Sequence, residues 1–185
     1  IGNTNIEGLH HLVNEILDNS IDEVVAGYAK KIVFKYNLDN SITIKDDGRG
    51  IPVDFHPKYK NKRAFEIVLT TLHSGGKFTN NAYKTSGGLH GVGISVVNAL
   101  SEKLEIKIYN KSKLYSQTYS KGKAKTKVKI EKCNKNLKGT EIKFIPDKEI
   151  FESILFSPKK LYSFIKMKAV LVKDTKINFN INKEL

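Results

Sequence analysis

The segment from Ser41 to Pro52 constrains the fold of this chain more than any other, because it changes abruptly from strand to glycine-rich loop. Its first half, Ser41–Lys45, alternates and is rich in β-branched residues, which predicts a strand that delivers Asp46 to a sheet edge. Its second half, Asp46–Pro52, holds two carboxylates, alternating glycines and a proline. Glycines let the backbone approach a flat ligand, and the proline fixes the exit of the loop. The pattern favours a binding loop, with a decorated hairpin turn as the alternative.

An amphipathic helix is predicted before this hairpin, at Ile6–Ala26. Its apolar residues recur at three- and four-residue steps, and Gly27 follows as a C-terminal stop. Glu15, Asn19 and Glu23 are four residues apart, so their side chains lie on one stripe of the helix. This polar stripe is either part of a site or ordinary solvated surface.

The other elements are predicted from apolar periodicity and turn residues. Helices are predicted at Ala64–Leu72, at Ile94–Leu100 and from Pro158 to about Val172. The remaining predicted strands are Lys31–Tyr36, Leu104–Tyr109, Leu114–Tyr119, Thr126–Glu131, Thr140–Ile145 and Lys176–Ile181. Together they predict an α+β chain with a helical layer on a largely antiparallel sheet and a site drawn from one side.

A second glycine-rich region, residues 74–93, runs directly into the predicted helix at Ile94. Glycine backbone before a helix N-terminus presents free N–H groups to an anion, and Lys77 and Lys84 add positive charge. The glycine spacing is neither that of a Walker loop nor that of a dinucleotide fingerprint. The position favours a phosphate-binding lid, with a surface loop as the alternative.

The net charge of +13 is compatible with a nucleic-acid partner. All but two of the 32 basic residues are lysine, however, and an A·T-rich genome also produces that skew. A DNA-facing patch and solvated lysines therefore both remain open. The two arginines are Arg49 and Arg63, and a retained arginine indicates a need for its planar fork. We expect Arg49 to pair with a carboxylate of the first helix.

Length and composition predict one compact domain over residues 1–185. Cys133 is the one cysteine, which excludes an internal disulfide framework. No apolar run approaches the length of a membrane span or a signal peptide. We therefore expect a cytoplasmic location and no membrane partner.

The ordered motifs resemble the ATPase domain of the B subunits of bacterial type II topoisomerases, in the GHKL superfamily of gyrase, heat-shock chaperones, histidine kinases and MutL. The motifs that carry the resemblance are Glu15 with Asn19, the loop Asp46–Pro52, Gly75–Phe78, Gly88–Gly93 and Gly139–Thr140. The resemblance runs along the whole chain. It implies a left-handed-crossover two-layer α/β sandwich, with a mixed, mostly antiparallel sheet under helices and ATP held between them.

Three segments are more similar to the topoisomerase IV protein than to the gyrase protein. They are Val53–Pro57, Gly93–Ser95 and the stretch from Phe156 to Leu171. The resemblance then implies strand passage, relaxation and decatenation of DNA for chromosome segregation, with negative supercoiling by gyrase as the alternative.

The resemblance implies roles for the polar stripe. Glu15 matches the general base that activates the attacking water, and Asn19 matches the ligand of a magnesium ion that bridges to the phosphates. Glu23 and Arg49 match a salt-bridged pair that flanks the pocket.

The same resemblance implies the nucleotide contacts. Asp46 matches the carboxylate that accepts a hydrogen bond from the adenine amino group, with Thr140 near it through water, and Lys77 matches a basic residue near the phosphates. The remaining implied contacts are Gly50, Ile51 and Pro52 around the adenine, and Gly88, Leu89, His90, Gly91, Val92, Gly93 and Ile94 around the triphosphate.

The implied cofactors are ATP and Mg²⁺. The implied partners are duplex DNA, the A subunit of topoisomerase IV in a heterotetramer, and a second copy of the full-length protein that dimerises when ATP binds. Asn110 departs from the family, which often has an arginine there. We also expect the chain to be an excised domain, since it begins at Ile1 without a dimerising arm and stops before the following domain.

Two readings from other classes remain. A histidine-kinase-like phosphotransfer domain generally lacks an acid in the Glu15 role. A non-enzymatic basic DNA-binding domain would leave both Glu15 and Asp46 unexplained.

Overall fold

The computed structural model describes residues 2–59, 61–71, 93–172 and 174–182. The helices in these residues are α1 (Ile6–Val25), α2 (Ala64–Thr70), α3 (Gly93–Ala99) and α4 (Pro158–Leu171). The strands are β1 (Lys31–Tyr36), β2 (Ile42–Asp46), β3 (Ser101–Asn110), β4 (Lys113–Ser120), β5 (Lys123–Ala124), β6 (Lys129–Lys132), β7 (Gly139–Pro146) and β8 (Lys176–Ile181).

The strands form one mixed sheet in the order β5-β4-β3-β7-β2-β1-β8, and β6 also pairs with β4. Every pairing is antiparallel except β1 with β8, which is parallel. The predicted α+β architecture, a mostly antiparallel sheet with helices, is confirmed. No helix among the described residues has the length and apolar content needed to cross a bilayer.

One face of the sheet is apolar and is covered by the helices. Phe34 of β1 pairs with Ile44 of β2, which pairs with Ile142 of β7, and all three are buried. Side chains two residues apart on a strand point to the same face. Asp46, two residues after Ile44 and opposite the buried Ile32, therefore lies on the apolar face. Asp46 is therefore a carboxylate at a position where the alternation of β2 predicts an apolar side chain.

The other face of the sheet is polar and half-exposed. Glu141 of β7 lies between Lys45 of β2 and Lys107 of β3, with N–O distances of 3.5 and 3.4 Å. This polar-out, apolar-in alternation is typical of an antiparallel sheet with one solvated face.

Helix α1 begins and ends where its sequence predicts. The Asn5 side chain accepts hydrogen bonds from the amides of Glu7 and Gly8 at 2.9 and 3.3 Å, which satisfies donors that a helix N-terminus leaves unpaired. After the C-cap residue Ala26, Gly27 takes a positive φ of 80°. The helix ends within one residue of the predicted boundary.

Helix α4 is attached to α1 and β1 through the two residues that precede it, Phe156 and Ser157. The amide of Ser157 donates to His10 Nε2 at 3.0 Å, and the amide of Phe156 donates to the Tyr36 hydroxyl at 3.2 Å. Burial lowers the pKa of His10, so its ring stays neutral and can accept this bond. These bonds tie the start of α4 to both α1 and the sheet.

Two expectations are wrong, one of them in part. The strand predicted at Thr126–Glu131 is wrong in its first half and confirmed in its second: β6 begins only at Lys129, because the exposed lysines before it give the chain little apolar surface to bury. The predicted sheet edge for Asp46 is also wrong, since β2 lies between β7 and β1. Asp46 is instead at the C-terminal end of an interior strand.

Candidate functional site

Asp46 is held at the end of β2 by three donors and is only 6% exposed. The Ser20 hydroxyl donates to Oδ2 at 3.1 Å, and the amides of Gly48 and Thr140 donate to Oδ1 at 2.9 and 3.4 Å. An ionised carboxylate has about four lone-pair positions for hydrogen bonds. Three protein donors leave it able to accept one more.

Burial raises the pKa of Asp46 to about 6. The cause is the loss of water around the charged form, and the negative charge of Glu23 adds to it. The bonds from Gly48, Ser20 and Thr140 act in the opposite direction and limit the rise. Near neutral pH the group is mostly ionised and acts as an acceptor.

The neighbouring carboxylate has a different task. Asp47 Oδ1 accepts from the amides of Lys30 and Lys31 at 2.8 and 2.9 Å, which fixes the start of β1. Only one of the two consecutive aspartates therefore belongs to the site.

Arg49 fastens the loop after β2 to helix α1. Its Nη2 lies 2.7 Å from Glu23 Oε1, and its Nε and its amide donate to Glu23 Oε2 at 3.2 and 2.9 Å. The guanidinium carbon also lies 3.7 Å from the centroid of the Tyr28 ring. The expected pairing of Arg49 with a carboxylate of the first helix is confirmed. Arginine's planar fork is what allows both oxygens and the ring to be engaged at once.

The start of β7 presses against this loop. Gly139 has a φ of 103°, and a Cβ added there would lie 2.1 Å from the Asp46 carbonyl oxygen. The next residue, Thr140, accepts from the Ile51 amide through Oγ1 at 3.1 Å. Gly50, with a φ of 78°, packs between Ile108 and Gly139. The loop after β2 is therefore held by contacts at Asp46, at Gly50 and at Ile51.

The other end of the α1 stripe is more open. The Glu15 side chain is 35% exposed, and its Oε1 lies 3.7 Å from His11 Nε2, one helical turn earlier. Asn19 is exposed, and its amide nitrogen donates to the Glu15 carbonyl at 2.9 Å, which leaves the amide oxygen for a ligand. Gly93, the first residue of α3, approaches so closely that an added Cβ would lie 2.1 Å from Glu15 Oε2.

The structure brings most of the predicted site residues to one side of α1. Pro52 follows Ile51 in the fixed loop, and its carbonyl accepts from the Phe65 amide at 3.1 Å. Ile94 is buried in the core, so any ligand contact at this position is made by its backbone. The predicted contacts at Lys77, Gly88, Leu89, His90, Gly91 and Val92 lie outside the described residues.

Sequence reasoning missed three neighbours of these residues. His11 lies four residues before Glu15, a spacing that predicts contact on a helix. Ser20 is a polar residue on the apolar face of α1, which is a usable signal for a buried hydrogen bond. Tyr28 carries no such signal, because only the folded chain brings its ring under Arg49.

Comparison with protein families gives a match over residues 4–150 to the model of the histidine kinase-, DNA gyrase B- and HSP90-like ATPases. The matched range includes α1, the loop after β2 and the start of β7.

Curated relatives align along nearly the whole chain. The B subunit of DNA topoisomerase 4 from Rickettsia bellii is 57% identical over 180 residues, covering 97% of this chain and 27% of the relative. The protein of the same name from Caulobacter vibrioides is 49% identical, covering 97% and 26%. The B subunit of DNA gyrase from Thermus thermophilus is 46% identical, covering 97% and 28%. The chain spans about a quarter of the length of these relatives.

A solved structure shares the fold. The crystal structure of the 43K ATPase domain of Thermus thermophilus gyrase B, in complex with an aminocoumarin, superposes with a TM-score of 0.86 at 38% identity. The alignment covers 98% of this chain and 45% of that one.

Proposed function

The chain belongs to the histidine kinase-, DNA gyrase B- and HSP90-like ATPase family, and we propose that it is the ATP-binding and ATP-hydrolysing domain of a type IIA DNA topoisomerase. The observation that carries this proposal is Asp46, a buried carboxylate on an otherwise apolar face with capacity for one more donor. A flat, mostly apolar base with an exocyclic amino group suits such a position.

Adenine is read by Asp46 in this proposal. The amino group of the base donates to the carboxylate, while Gly50, Ile51 and Pro52 form a wall beside the ring. Thr140 already touches Asp46 and the loop, so it sets the position of both. Guanine presents a carbonyl oxygen at the corresponding place. That oxygen and the carboxylate are both acceptors, so they would repel each other and no hydrogen bond would form.

Hydrolysis is assigned to the open end of α1. Glu15 takes a proton from the attacking water, and His11 Nε2 lies 3.7 Å from its carboxylate. Gly93 limits the space around Glu15 from the α3 side. The residues that complete the phosphate contacts, Lys77 and Gly88–Gly93, are proposed from the sequence motif.

The residues present fit a magnesium ion that is held mainly by its substrate. Asn19 offers one amide oxygen beside Glu15, and no group of three or more His, Cys, Asp or Glu side chains suited to a metal occurs in the described residues. Magnesium commonly takes one or two protein ligands and completes its shell with phosphate oxygens and water. When bound, the ion would neutralise phosphate charge.

The wider assembly is proposed from the relatives. The topoisomerase IV relatives are 46–57% identical and a gyrase B relative is 46% identical, so the relatives from Rickettsia, at 54–57%, are what favours the topoisomerase IV assignment over gyrase. The full-length protein would then act with the A subunit of topoisomerase IV on duplex DNA and dimerise on binding ATP. The cytoplasmic location also remains a prediction.

The test is a set of calorimetric titrations with non-hydrolysable ATP and GTP analogues, with and without magnesium. Asp46→Ala should weaken ATP-analogue binding by roughly ten- to a hundredfold, because it removes a charge-assisted bond worth about 1.5–3 kcal/mol, and should change GTP binding little. Asp54→Ala, which removes an exposed carboxylate eight residues along the chain, is the matched control. If Asp46→Ala kept the preference for adenine, Asp46 would not be the base reader.

A further inference from the structure

A lysine-rich segment forms one edge of the sheet and then returns to the site at Gly139. We define this basic edge as residues 121–138, which include β5, β6 and the turns around them. It contains eight lysines and one glutamate, Glu131, and so carries +7 of the chain's net +13. The other 167 residues together carry +6.

This concentration is not what compositional bias alone produces. An A·T-rich genome replaces arginine by lysine wherever a basic residue occurs, but it does not move more than half of the net charge into a tenth of the chain. The basic edge therefore needs a physical explanation of its own.

Most of these lysines are exposed and lack an acidic partner. Lys121 pairs with Asp147 at 3.1 Å, and Lys129 pairs with Glu131 at 3.0 Å. In residues 2–59, 61–71, 93–172 and 174–182, no carboxylate lies within ion-pair distance of five exposed lysines: Lys123, Lys125, Lys127, Lys132 and Lys135. Five like charges close together on one edge repel one another unless an anion lies between them.

The strands of the basic edge, β5 and β6, are too far from Asp46 to serve the nucleotide, whereas its last residue, Lys138, precedes Gly139 and donates to the Tyr28 carbonyl at 3.3 Å. The order of strands places β5 and β6 outside β4, with β3 and β7 between β4 and β2. Four strand spacings of about 4.8 Å put roughly 19 Å between this edge and β2. The charges are thus available to a second ligand.

Lysines also occur on edge strands as a protection against pairing with other chains. That role requires the lysine to be part of the strand. Lys125, Lys127 and Lys135 lie outside β5 and β6, so edge protection does not explain them.

We propose that the basic edge binds the phosphate backbone of duplex DNA, and this inference rests on the proposed topoisomerase function. Duplex DNA carries one negative charge per about 1.7 Å of its axis, a density that matches a row of unpaired lysines. Lysines without fixed partners contact phosphates as point charges and carry no sequence information. Binding at this edge is therefore independent of base sequence and strongly dependent on salt.

The experiment measures binding of a 30-base-pair duplex of mixed sequence to the 185-residue chain over a range of salt concentrations. The variant K123Q/K125Q/K127Q/K132Q/K135Q is compared with K35Q/K58Q/K62Q/K148Q/K166Q, which neutralises five exposed lysines elsewhere. Both variants have the same net charge. Each lost phosphate contact lowers the slope of log K against log salt by about 0.9, so the edge variant should lose roughly 3–5 and the control less than about 1.

Equal losses in the two variants would overturn the proposal, because they would mean that charge acts diffusely over the whole surface. Tighter binding of duplex RNA or of anionic lipid vesicles than of DNA would overturn the assignment of the partner. If the five-site variant self-associates in sedimentation, K125Q/K127Q replaces it, since neither residue belongs to a strand. That pair should still lower the slope by about 1–2, whereas an unchanged slope would count against the edge.

ATP-analogue titration of the same variants separates the two proposals. Both variants should bind the analogue as the unaltered chain does. If the edge variant loses DNA binding but binds the ATP analogue normally, the result bears on the basic edge alone. If the unaltered chain binds no ATP analogue, the result contradicts the proposed function alone.

Discussion

The two ends of the polar stripe on α1 differ in how completely the protein holds them. At the Glu23 end, Arg49 donates to Glu23 at 2.7 Å, and the Thr140 amide donates to Asp46 at 3.4 Å. Thr140 also accepts from the Ile51 amide, and Asp46 is 6% exposed. At the Glu15 end, the carboxylate is 35% exposed, and its Oε1 lies 3.7 Å from His11 Nε2.

Under the proposed function, this difference means that the residues assigned to base recognition are held by the protein before a ligand binds, whereas those assigned to hydrolysis are less constrained. Substitutions at the fixed end should change stability and binding together. Substitutions at the open end should change rate alone. The following predictions test this separation.

The largest effect is expected from Glu15→Gln at the open end. Loss of the general base should lower ATP turnover of the full-length protein by roughly a hundred- to ten-thousandfold, with nucleotide affinity and unfolding free energy unchanged. Turnover is measured by phosphate release and affinity by calorimetry. Asp18→Asn, which removes another carboxylate of α1, one that pairs with Lys168 of α4, is the control and should leave the rate near its original value. A normal rate in Glu15→Gln would remove this residue from the mechanism.

Gly139→Ala should give the largest loss of stability at the fixed end. Its Cβ would collide with the Asp46 carbonyl, so we expect a cost of roughly 3 kcal/mol or more. Gly27→Ala is the matched control, because Gly27 also has a positive φ but has nothing within 4 Å of the added atom. It should cost only about 1–2 kcal/mol. Denaturant unfolding measures both, and equal costs would show that the close approach of β7 is not essential.

Arg49→Lys tests whether the pair with Glu23 holds the loop through its geometry. Lysine keeps the charge but loses the fork and the stacking on Tyr28, so the unfolding free energy should fall by about 1–2 kcal/mol. Lys160→Ala, which breaks the exposed pair with Glu7, should cost clearly less than Arg49→Lys, because solvent screens an exposed ion pair. If both changes cost the same, the Glu23 end would be no more constrained than the surface.

The smallest effect concerns pH. Because the ionised Asp46 is the acceptor, adenosine binding should weaken as pH falls through about 6, by up to roughly tenfold at pH 5. Adenosine avoids the titration of phosphate groups. Asp46→Asn should remove this dependence, and a variant that keeps it would assign the titration to another group.

The same pKa predicts a stability change of the opposite sense. The folded pKa of Asp46 lies above its ordinary value of 3.8, so its contribution to stability is fully present below about pH 4 and is lost as pH rises through about 6. The difference in unfolding free energy between the unaltered chain and Asp46→Asn should show that slope.

Much of the fold followed from local pattern. The alternation of β1, the turn around Asn40 and the caps of α1 depend on neighbours in sequence, so their boundaries were predicted closely. The strand at Thr126–Glu131 was predicted three residues too early, because alternating lysines resemble a strand whether or not the residues between them are buried. The interior position of β2 was also missed, since strand order depends on contacts between distant parts of the chain.

The site was predictable as a set of residue types and less so as a geometry. The rarity of arginine pointed correctly to the pair of Arg49 with Glu23. The different tasks of Asp46 and Asp47 could not be read from two identical letters, because they depend on which sheet face each side chain meets. The roles assigned to Glu15, Asn19 and Asp46 in catalysis and binding stay predictions until the titrations are done.

The parallel pairing of β1 with β8 has a consequence for how the chain is made. Lys31 pairs with Lys176, 145 positions later. At about 5–20 residues per second, a ribosome needs roughly 7–29 s to supply that partner. During this interval β1 has one unpaired edge, and such edges associate with other chains. Lys31 and Lys35 of β1 are both exposed in the finished sheet. Their positive charges oppose the pairing of β1 strands from two nascent copies until β8 is made.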